Sequence, residues 1–150
     1  MNVNPNAAET CVITGNYFSL KSEHEKAAVL FKKATCVDPS NVHAWLLLGH
    51  ELIELRNPSA ALSVYQEALS RSTDRDKDSR PWHAIGQLFE LINQQAFAVF
   101  YYEKAAAIDS ADSRIWKALA SCYTKINRPE EANKCQSKLM GTLKSTAASL

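Results

Sequence analysis

Small and large apolar residues recur along the chain at a spacing of 34 residues. In a unit that starts at Val42, small residues fall at positions 8, 20 and 27, and large residues at positions 4, 11 and 24. Small side chains let two helices approach closely, and large ones fill the space beside the contact. The pattern predicts eight antiparallel helices, at residues 8–20, 24–37, 41–55, 58–71, 79–92, 95–108, 112–126 and 129–142.

The period divides the chain into four units, at residues 8–41, 42–78, 79–112 and 113–146, after a leader or linker at 1–7. The second unit is longer, because Trp45 and Trp82 are 37 residues apart rather than 34. We place the three extra residues in the segment 72–80, which is rich in charge and serine and is expected to form a loop. The fourth unit is degenerate, since Gln136 and Leu139 replace the expected aromatic residue and alanine.

The residues predicted to pack the helix pairs occupy these small and large positions. They are Gly15, Ala27, Trp45, Gly49, Ala61, Tyr65, Trp82, Gly86, Ala98, Tyr102, Trp116, Ala120 and Ala132. This arrangement resembles the tetratricopeptide repeat (TPR), which is a pair of antiparallel helices. The resemblance implies an all-α TPR solenoid of four helix-turn-helix repeats that forms part of a right-handed superhelix.

Turn residues support two of the predicted helix starts. Ser22 and Glu25 have the spacing of a capping box for the second helix. Asn57 followed by Pro58 is typical of an N-cap with proline at the first helical position, and it predicts the start of the fourth helix.

The composition excludes several classes of function. The 150 residues include 17 Lys and Arg against 16 Asp and Glu, and this net charge of +1 does not favour a surface for nucleic acid or anionic lipid. Four Gly and five Pro provide few turns for a sheet-rich fold. The first ten residues do not resemble a secretory signal, and no apolar stretch is long enough to span a membrane. We therefore expect an intracellular protein.

Sequence motifs for catalysis or metal binding are missing. Cys11, Cys36, Cys122 and Cys135 show no CxxC spacing, which predicts buried thiols rather than metal ligands. A disulfide pair is the alternative that the sequence alone leaves open. The segment 50–54, HELIE, starts like a zinc-protease helix but has Glu in place of the second His. The sequence contains neither a glycine-rich phosphate loop nor a GxSxG elbow. We therefore expect no enzyme activity, no catalytic residue, no metal and no cofactor.

Positions 2, 5 and 9 of a TPR unit face the concave groove in which partner peptides bind. In this chain they are mostly polar, and such side chains can hydrogen-bond a peptide backbone. A solvated helix face is the alternative interpretation of each residue taken alone. The residues predicted to line the groove from these positions are Asn16, His50, Arg80, His83, Gln87, Arg114 and Lys117.

Other segments resemble a more specific family. The sequences GNYFSL at 15–20 and LGHE at 48–51 are similar to the TPR scaffold subunits of the anaphase-promoting complex. Later segments, such as FAVFYY at 97–102 and DSR at 112–114, most resemble its eighth subunit. Generic TPR packing does not require these residues, and the resemblance covers about residues 8–139.

This resemblance implies a non-catalytic scaffold of a cell-cycle ubiquitin ligase, found in the nucleus and cytoplasm. Such a subunit binds neighbouring subunits and the arginine-containing C-box of a coactivator, and the resemblance assigns the C-box contact to Asn16 and Glu51. A carboxylate can accept a bidentate guanidinium, and an amide can bond a peptide group. Family members are several times longer and dimerise through N-terminal repeats, so the homodimer expected of a parent protein need not form in this segment.

A chaperone adaptor that binds acidic C-terminal peptides is the alternative function. Asn16 and Arg80 match the dicarboxylate clamp of such TPR domains. Val12, Leu47 and Ala84 stand where the clamp has its other polar or basic residues. Two matches out of five do not hold a pair of carboxylates, so we rank this function second.

Overall fold

The computed structural model describes residues 5–74 and 76–149, and helices form most of this part of the chain. The helices are α1 (Pro5–Leu20), α2 (His24–Val37), α3 (Val42–Glu54), α4 (Pro58–Arg71), α5 (Arg80–Leu91), α6 (Gln95–Ile108), α7 (Ser113–Lys125) and α8 (Pro129–Ala148). The prediction of an all-α chain with eight helices is confirmed.

The two terminal helices are longer than predicted. Residues 5–7 of the expected leader belong to α1, and the rest of the leader lies outside the described residues. α8 continues six residues past the predicted end at 142 because no proline follows and Gly141 keeps a helical backbone rather than a positive φ. The other helix ends agree with the prediction to within one residue.

The helices form two compact units, at residues 1–75 and 76–150. In unit 1, α1 packs on α2, α2 on α3 and α3 on α4. In unit 2, the same order of contacts joins α5, α6, α7 and α8. The division falls within the segment 72–80, where the repeat period predicted the extra residues. Each unit therefore contains two helix pairs.

Each of the first three helix pairs is built around a glycine at position 8 that lies against an aromatic ring at position 24. A Cβ added to Gly15 would lie 2.5 Å from the Phe31 ring, and one added to Gly86 would lie 2.7 Å from the Tyr102 ring. Gly49 has the same relation to Tyr65, whose ring would overlap the added atom. The predicted packing residues are buried, apart from Trp45 and Trp82, which are half-buried.

Four equivalent turns join the helices within the pairs. Ser22, Arg56, Asn93 and Asn127 occupy position 15 of their repeats, and each has a φ of 60–62°. The next backbone N–H donates to the carbonyl five residues before it at 2.8–2.9 Å, as in a Schellman motif. Ser22 is therefore the left-handed residue that ends α1, and the prediction that it caps α2 is wrong, because α2 has no side-chain cap.

The predicted start of α4 is confirmed. The side chain of Asn57 accepts a hydrogen bond from the backbone N–H of Ala60 at 3.2 Å, and Pro58 is the first helical residue. Proline is favoured there because the first N–H of a helix has no intrahelical partner.

The fourth helix pair lacks the glycine-to-ring contact, as its degenerate sequence predicted. Ala120 is buried, but Gln136, at the position of the ring, is exposed. Ile115, Leu119 and Tyr123 of α7 instead belong to a core cluster that includes Ala132 and Cys135 of α8. The half of α8 beyond Cys135 contributes no buried residue within the described chain.

We expect Gly49→Leu to destabilise unit 1 by about 1–3 kcal/mol or more, because the new side chain cannot fit beside the Tyr65 ring without moving α3 from α4. The matched control is Gly141→Leu, since an added Cβ at Gly141 meets no atom within 4 Å. Urea unfolding followed by circular dichroism measures both. Equal stability of the two variants would contradict the packing described here.

Candidate peptide-binding faces

Two polar residues of the predicted groove lie on the exposed side of unit 1. Asn16 on α1 and His50 on α3 are exposed and occupy the same position of successive repeats. The Tyr65 hydroxyl is hydrogen-bonded to Nδ1 of His50 at 3.0 Å. Desolvation of the ring lowers the pKa of His50, so that its imidazole is neutral at pH 7. The buried tyrosine thus orients a neutral ring whose other nitrogen is available to a peptide group.

Glu51 is buried, and the structure corrects the prediction that its carboxylate faces the groove. Only 4% of the residue is exposed. Its Oε1 accepts a hydrogen bond from Oγ of Ser19 at 2.5 Å, and Oε2 pairs with Nδ1 of His24 at 2.7 Å. A peptide guanidinium that took this carboxylate would leave both partners unpaired, at a cost of about 1–3 kcal/mol each.

The Glu51 carboxylate joins three helices rather than receiving a ligand. Ser19 belongs to α1, His24 to α2 and Glu51 to α3, so the contact ties the first repeat to the second. Serine, histidine and a carboxylate meet here without forming a catalytic triad. The Ser19 hydroxyl donates to the carboxylate instead of to the imidazole, and so no base is placed to activate it.

Two arginines of the predicted groove in unit 2 are held by aspartates of their own chain segments. Arg80 donates from Nε and Nη2 to the two carboxylate oxygens of Asp78, at 3.0 and 2.9 Å. Arg114 forms the same fork with Asp112, at 3.1 and 2.9 Å. The arginine hydrogen bonds lower the pKa of both aspartates, which therefore stay ionised at neutral pH. Each guanidinium is oriented and its charge is largely balanced.

The other predicted groove residues of unit 2 are His83 and Gln87 on α5 and Lys117 on α7. Gln87 and Lys117 are exposed, and His83 is half-buried with its ring 5.7 Å from that of Tyr102. The eight predicted groove residues thus divide between the units. Asn16, His50 and the buried Glu51 belong to unit 1, and Arg80, His83, Gln87, Arg114 and Lys117 belong to unit 2.

Phe97 and Phe100 form an apolar face on α6 that the sequence analysis did not predict. They are 57% and 51% exposed. Phe97 stacks on Phe89 with ring centroids 5.4 Å apart, and Phe89 stacks on Tyr101 at the same distance. Phe100 meets Tyr101 edge-on at 5.2 Å. The rings support one another, so the exposed surface is held in place.

The signal for this face is present in the sequence. Residues 91–102 contain no charged side chain. The residues at the two corresponding positions of the other repeats are Lys26 and Val29, Ala60 and Ser63, and Glu131 and Lys134. Repeat packing therefore does not require aromatic residues there, and the two exposed phenylalanines form a candidate interaction surface.

The described residues contain no group of three His, Cys, Asp or Glu side chains that could hold a metal ion. Cys11, Cys122 and Cys135 are buried as predicted, whereas Cys36 is exposed near the end of α2. Burial raises the pKa of the Cys122 thiol to about 11, which keeps it protonated and unreactive at neutral pH. Among helices of the described part of the chain, none is both long and apolar enough to cross a membrane.

A known repeat family and solved structures of other proteins match the helix pairs of this chain. The tetratricopeptide repeat family matches residues 42–75 and 79–112, which correspond to the second and third predicted units. A crystal structure of MamA superposes on 97% of this chain and 83% of that chain with a TM-score of 0.84 at 21% identity. A crystal structure of BtubC from P. vanneervenii covers 93% of this chain and 64% of that chain with a TM-score of 0.84 at 18% identity. At these identities the likeness establishes the fold alone.

Several sequence relatives are subunits of the anaphase-promoting complex. Subunit 8 of the anaphase-promoting complex from Dictyostelium discoideum is 46% identical over 61 residues, which is 41% of this chain and 10% of the relative. Subunit CDC23 of the complex from Saccharomyces cerevisiae is 46% identical over 54 residues, or 36% of this chain and 9% of the relative. Subunit 3 from Schizosaccharomyces pombe is 23% identical over 125 residues, or 83% of this chain and 18% of the relative.

The chain thus spans between about a tenth and a fifth of these relatives. Three observations agree with one another. They are the match to the repeat family, the packing of glycine on aromatic rings and the sequence shared with the relatives. The chain contains two matches to the tetratricopeptide repeat within a stack of helix pairs, and it is similar in sequence to subunits of the anaphase-promoting complex.

Proposed function

We propose that this chain belongs to a non-catalytic scaffold subunit of the anaphase-promoting complex, the ubiquitin ligase of the cell cycle. The observation that carries the proposal is the 46% identity with subunit 8 of that complex in one organism and with its subunit CDC23 in another, over residues beyond those that TPR packing needs. The described residues also offer exposed polar and apolar faces and no group of side chains that could hold a metal ion. Such surfaces suit the binding of other proteins.

The polar face of unit 1 is the proposed site for a coactivator peptide of the C-box type. Asn16 supplies an amide that can pair with a peptide group, and His50 supplies an oriented imidazole. Glu51 is poorly placed to accept the peptide arginine, because only 4% of the residue is exposed and its oxygens already contact Ser19 and His24. Glu9 takes that role in the proposal, since it is exposed and lies seven residues before Asn16 on the same face of α1.

Asn16→Ala should weaken binding of an arginine-containing C-box peptide about tenfold, because one hydrogen-bonded contact of about 1.4 kcal/mol is lost. Glu9→Gln should weaken it similarly and make the remaining affinity less sensitive to salt. Isothermal titration calorimetry measures both effects. The control is Asn133→Ala on α8, which removes an exposed asparagine from unit 2.

Failure of the wild-type chain to bind the peptide would contradict a coactivator site in unit 1. An equal loss of affinity in Asn133→Ala would also contradict it, since that residue lies in the other unit.

The apolar face of α6 is the proposed contact with a neighbouring subunit. Aromatic rings that stack on one another, as Phe97, Phe89 and Tyr101 do, are typical of the residues that dominate the binding energy of an interface. The face lies on the second helix of its repeat, whereas the polar residues proposed to bind peptides lie on the first helices. A scaffold could therefore hold a subunit and a peptide on different surfaces.

Replacing Phe97 and Phe100 together by serine should reduce the recovery of anaphase-promoting complex subunits with the tagged protein at least about tenfold, because two side chains that the proposed interface would bury are lost. Quantitative mass spectrometry of the purified complex measures the recovery. The control is Val29→Ser, because Val29 is 69% exposed and occupies the same repeat position as Phe100. Unchanged recovery in the double variant would contradict this contact, and thermal unfolding checks that all variants remain folded.

A further inference from the structure

Tyr65 carries a hydroxyl that its packing against the helix backbone does not need. Its ring fills the space beside Gly49, and in the first repeat Phe31 packs against Gly15 in the same way without a hydroxyl. Both aromatic residues are fully buried. Packing alone therefore does not explain the hydroxyl, which is hydrogen-bonded to Nδ1 of His50 at 3.0 Å.

The direction of this hydrogen bond follows from burial. Tyr65 has no exposed surface, so its O–H needs an acceptor within the protein. Among the described residues, Nδ1 of His50 is the acceptor within reach. If Nδ1 carried a proton, the hydroxyl would have to accept, and its own proton would be left unpaired at a buried site. The hydroxyl of Tyr65 therefore donates to Nδ1.

A neutral histidine that accepts at Nδ1 carries its proton on Nε2. The imidazole of His50 meets the Tyr65 ring edge-on, with ring centroids 5.8 Å apart, and this contact together with the hydrogen bond fixes its orientation. His50 is exposed, and in the part of the chain that the structure describes its hydrogen bonding uses Nδ1 alone. Its Nε2–H can therefore donate to a ligand.

The neighbouring repeats use the same two positions differently. In the first repeat, position 24 is Phe31, which has no hydroxyl, and position 9 is Asn16. In the third repeat, the Tyr102 hydroxyl donates to Glu90, whereas position 9 is Gln87. The hydrogen bond between positions 24 and 9 is thus a feature of the second repeat and not a requirement of repeat packing.

We propose that Tyr65 is a positioning residue that makes His50 a hydrogen-bond donor at Nε2, and that this donor binds a backbone carbonyl of the partner peptide. The inference rests on the proposed peptide site in unit 1, since it concerns the ligand of the same face. A fixed donor selects an acceptor, so a peptide N–H does not fit at this point. The neutral ring also places no positive charge beside a peptide that contains arginine.

His50 and Asn16 then have different roles on this face. An asparagine amide can donate through its nitrogen and accept through its oxygen, whereas His50, held in one tautomer, can only donate. Each peptide residue offers one N–H and one carbonyl at different places along the backbone. A fixed donor therefore restricts the register in which the peptide lies. Tyr65 contributes to specificity in this way without touching the ligand.

The tautomer can be measured in the free chain at neutral pH by long-range proton–nitrogen NMR, with the histidines labelled with nitrogen-15. We expect the proton of His50 on Nε2 alone. In Tyr65→Phe, which keeps the ring beside Gly49, a measurable fraction of His50 should carry the proton on Nδ1. Tyr102→Phe is the matched control, because it removes a buried hydroxyl from unit 2 and should leave His50 unchanged.

Isothermal titration calorimetry then measures the affinity for an arginine-containing C-box peptide. Tyr65→Phe should weaken binding about threefold, because the donor of His50 is no longer held in place. Tyr102→Phe should bind as the wild type does. In the complex with the wild-type chain, His50 should keep its proton on Nε2, and the resonance of this proton should move downfield as it donates to the carbonyl.

A proton on Nδ1 of His50 in the free wild-type chain would overturn the inference. The same tautomer distribution in Tyr65→Phe, an unchanged affinity of that variant, or loss of the Nε2 proton on binding would also overturn it. Failure of the wild-type chain to bind the peptide would overturn the proposed peptide site and the carbonyl contact with it. The tautomer, measured without the peptide, shows separately whether Tyr65 fixes the ring.

Discussion

The contact between a helix backbone and an aromatic ring is the constraint on which the first three repeats depend. Gly15, Gly49 and Gly86 present bare backbone to rings at position 24 of their own repeats. No other residue type lets the ring approach so closely, since even a methyl group would need the space that the ring fills. The closeness of the two helices in each pair follows from this contact.

The same rings also connect the core to the surface. The Tyr65 hydroxyl reaches His50, and the Tyr102 hydroxyl donates to Glu90 at 2.7 Å. Burial raises the pKa of both tyrosines, so the hydroxyls stay protonated. A buried packing residue thereby orients a polar side chain on the preceding helix. A repeat can in this way keep the same core while the chemistry of its surface varies.

The fold could be predicted from the sequence to a large extent, because the 34-residue period states the same packing rule several times. The predicted helix ends lie close to the observed ones for the same reason. Pro58 identified one of them, the start of α4. The turn at Ser22 was missed because a serine before an acidic residue fits a capping box as well as a left-handed turn. Comparison of the repeats could have predicted this turn. Asn93 and Asn127 occupy the same position as Ser22, and asparagine tolerates a positive φ.

The candidate sites were predicted less well than the fold, because side-chain partners depend on three-dimensional contacts. The sequence suggested that the Glu51 carboxylate was available to a peptide. Glu51 occupies position 10 of its repeat, however, and later repeats have the buried Leu88 and Cys122 at that position. A carboxylate at such a buried position needs partners within the protein, such as Ser19. The forks between Asp78 and Arg80 and between Asp112 and Arg114 are local and could be suspected from their matching spacing. Their geometry, which decides how much charge remains for a ligand, required the structure.

The glycine and the ring specify one another, and a double-mutant cycle in the third repeat tests this dependence most directly. Gly86→Ala should destabilise by crowding the ring of Tyr102, and Tyr102→Leu by removing buried contacts. In the double variant the smaller side chain makes room for the methyl group, so the combined loss should be smaller than the sum by about 0.5–3 kcal/mol. Strictly additive losses in urea unfolding would contradict the account.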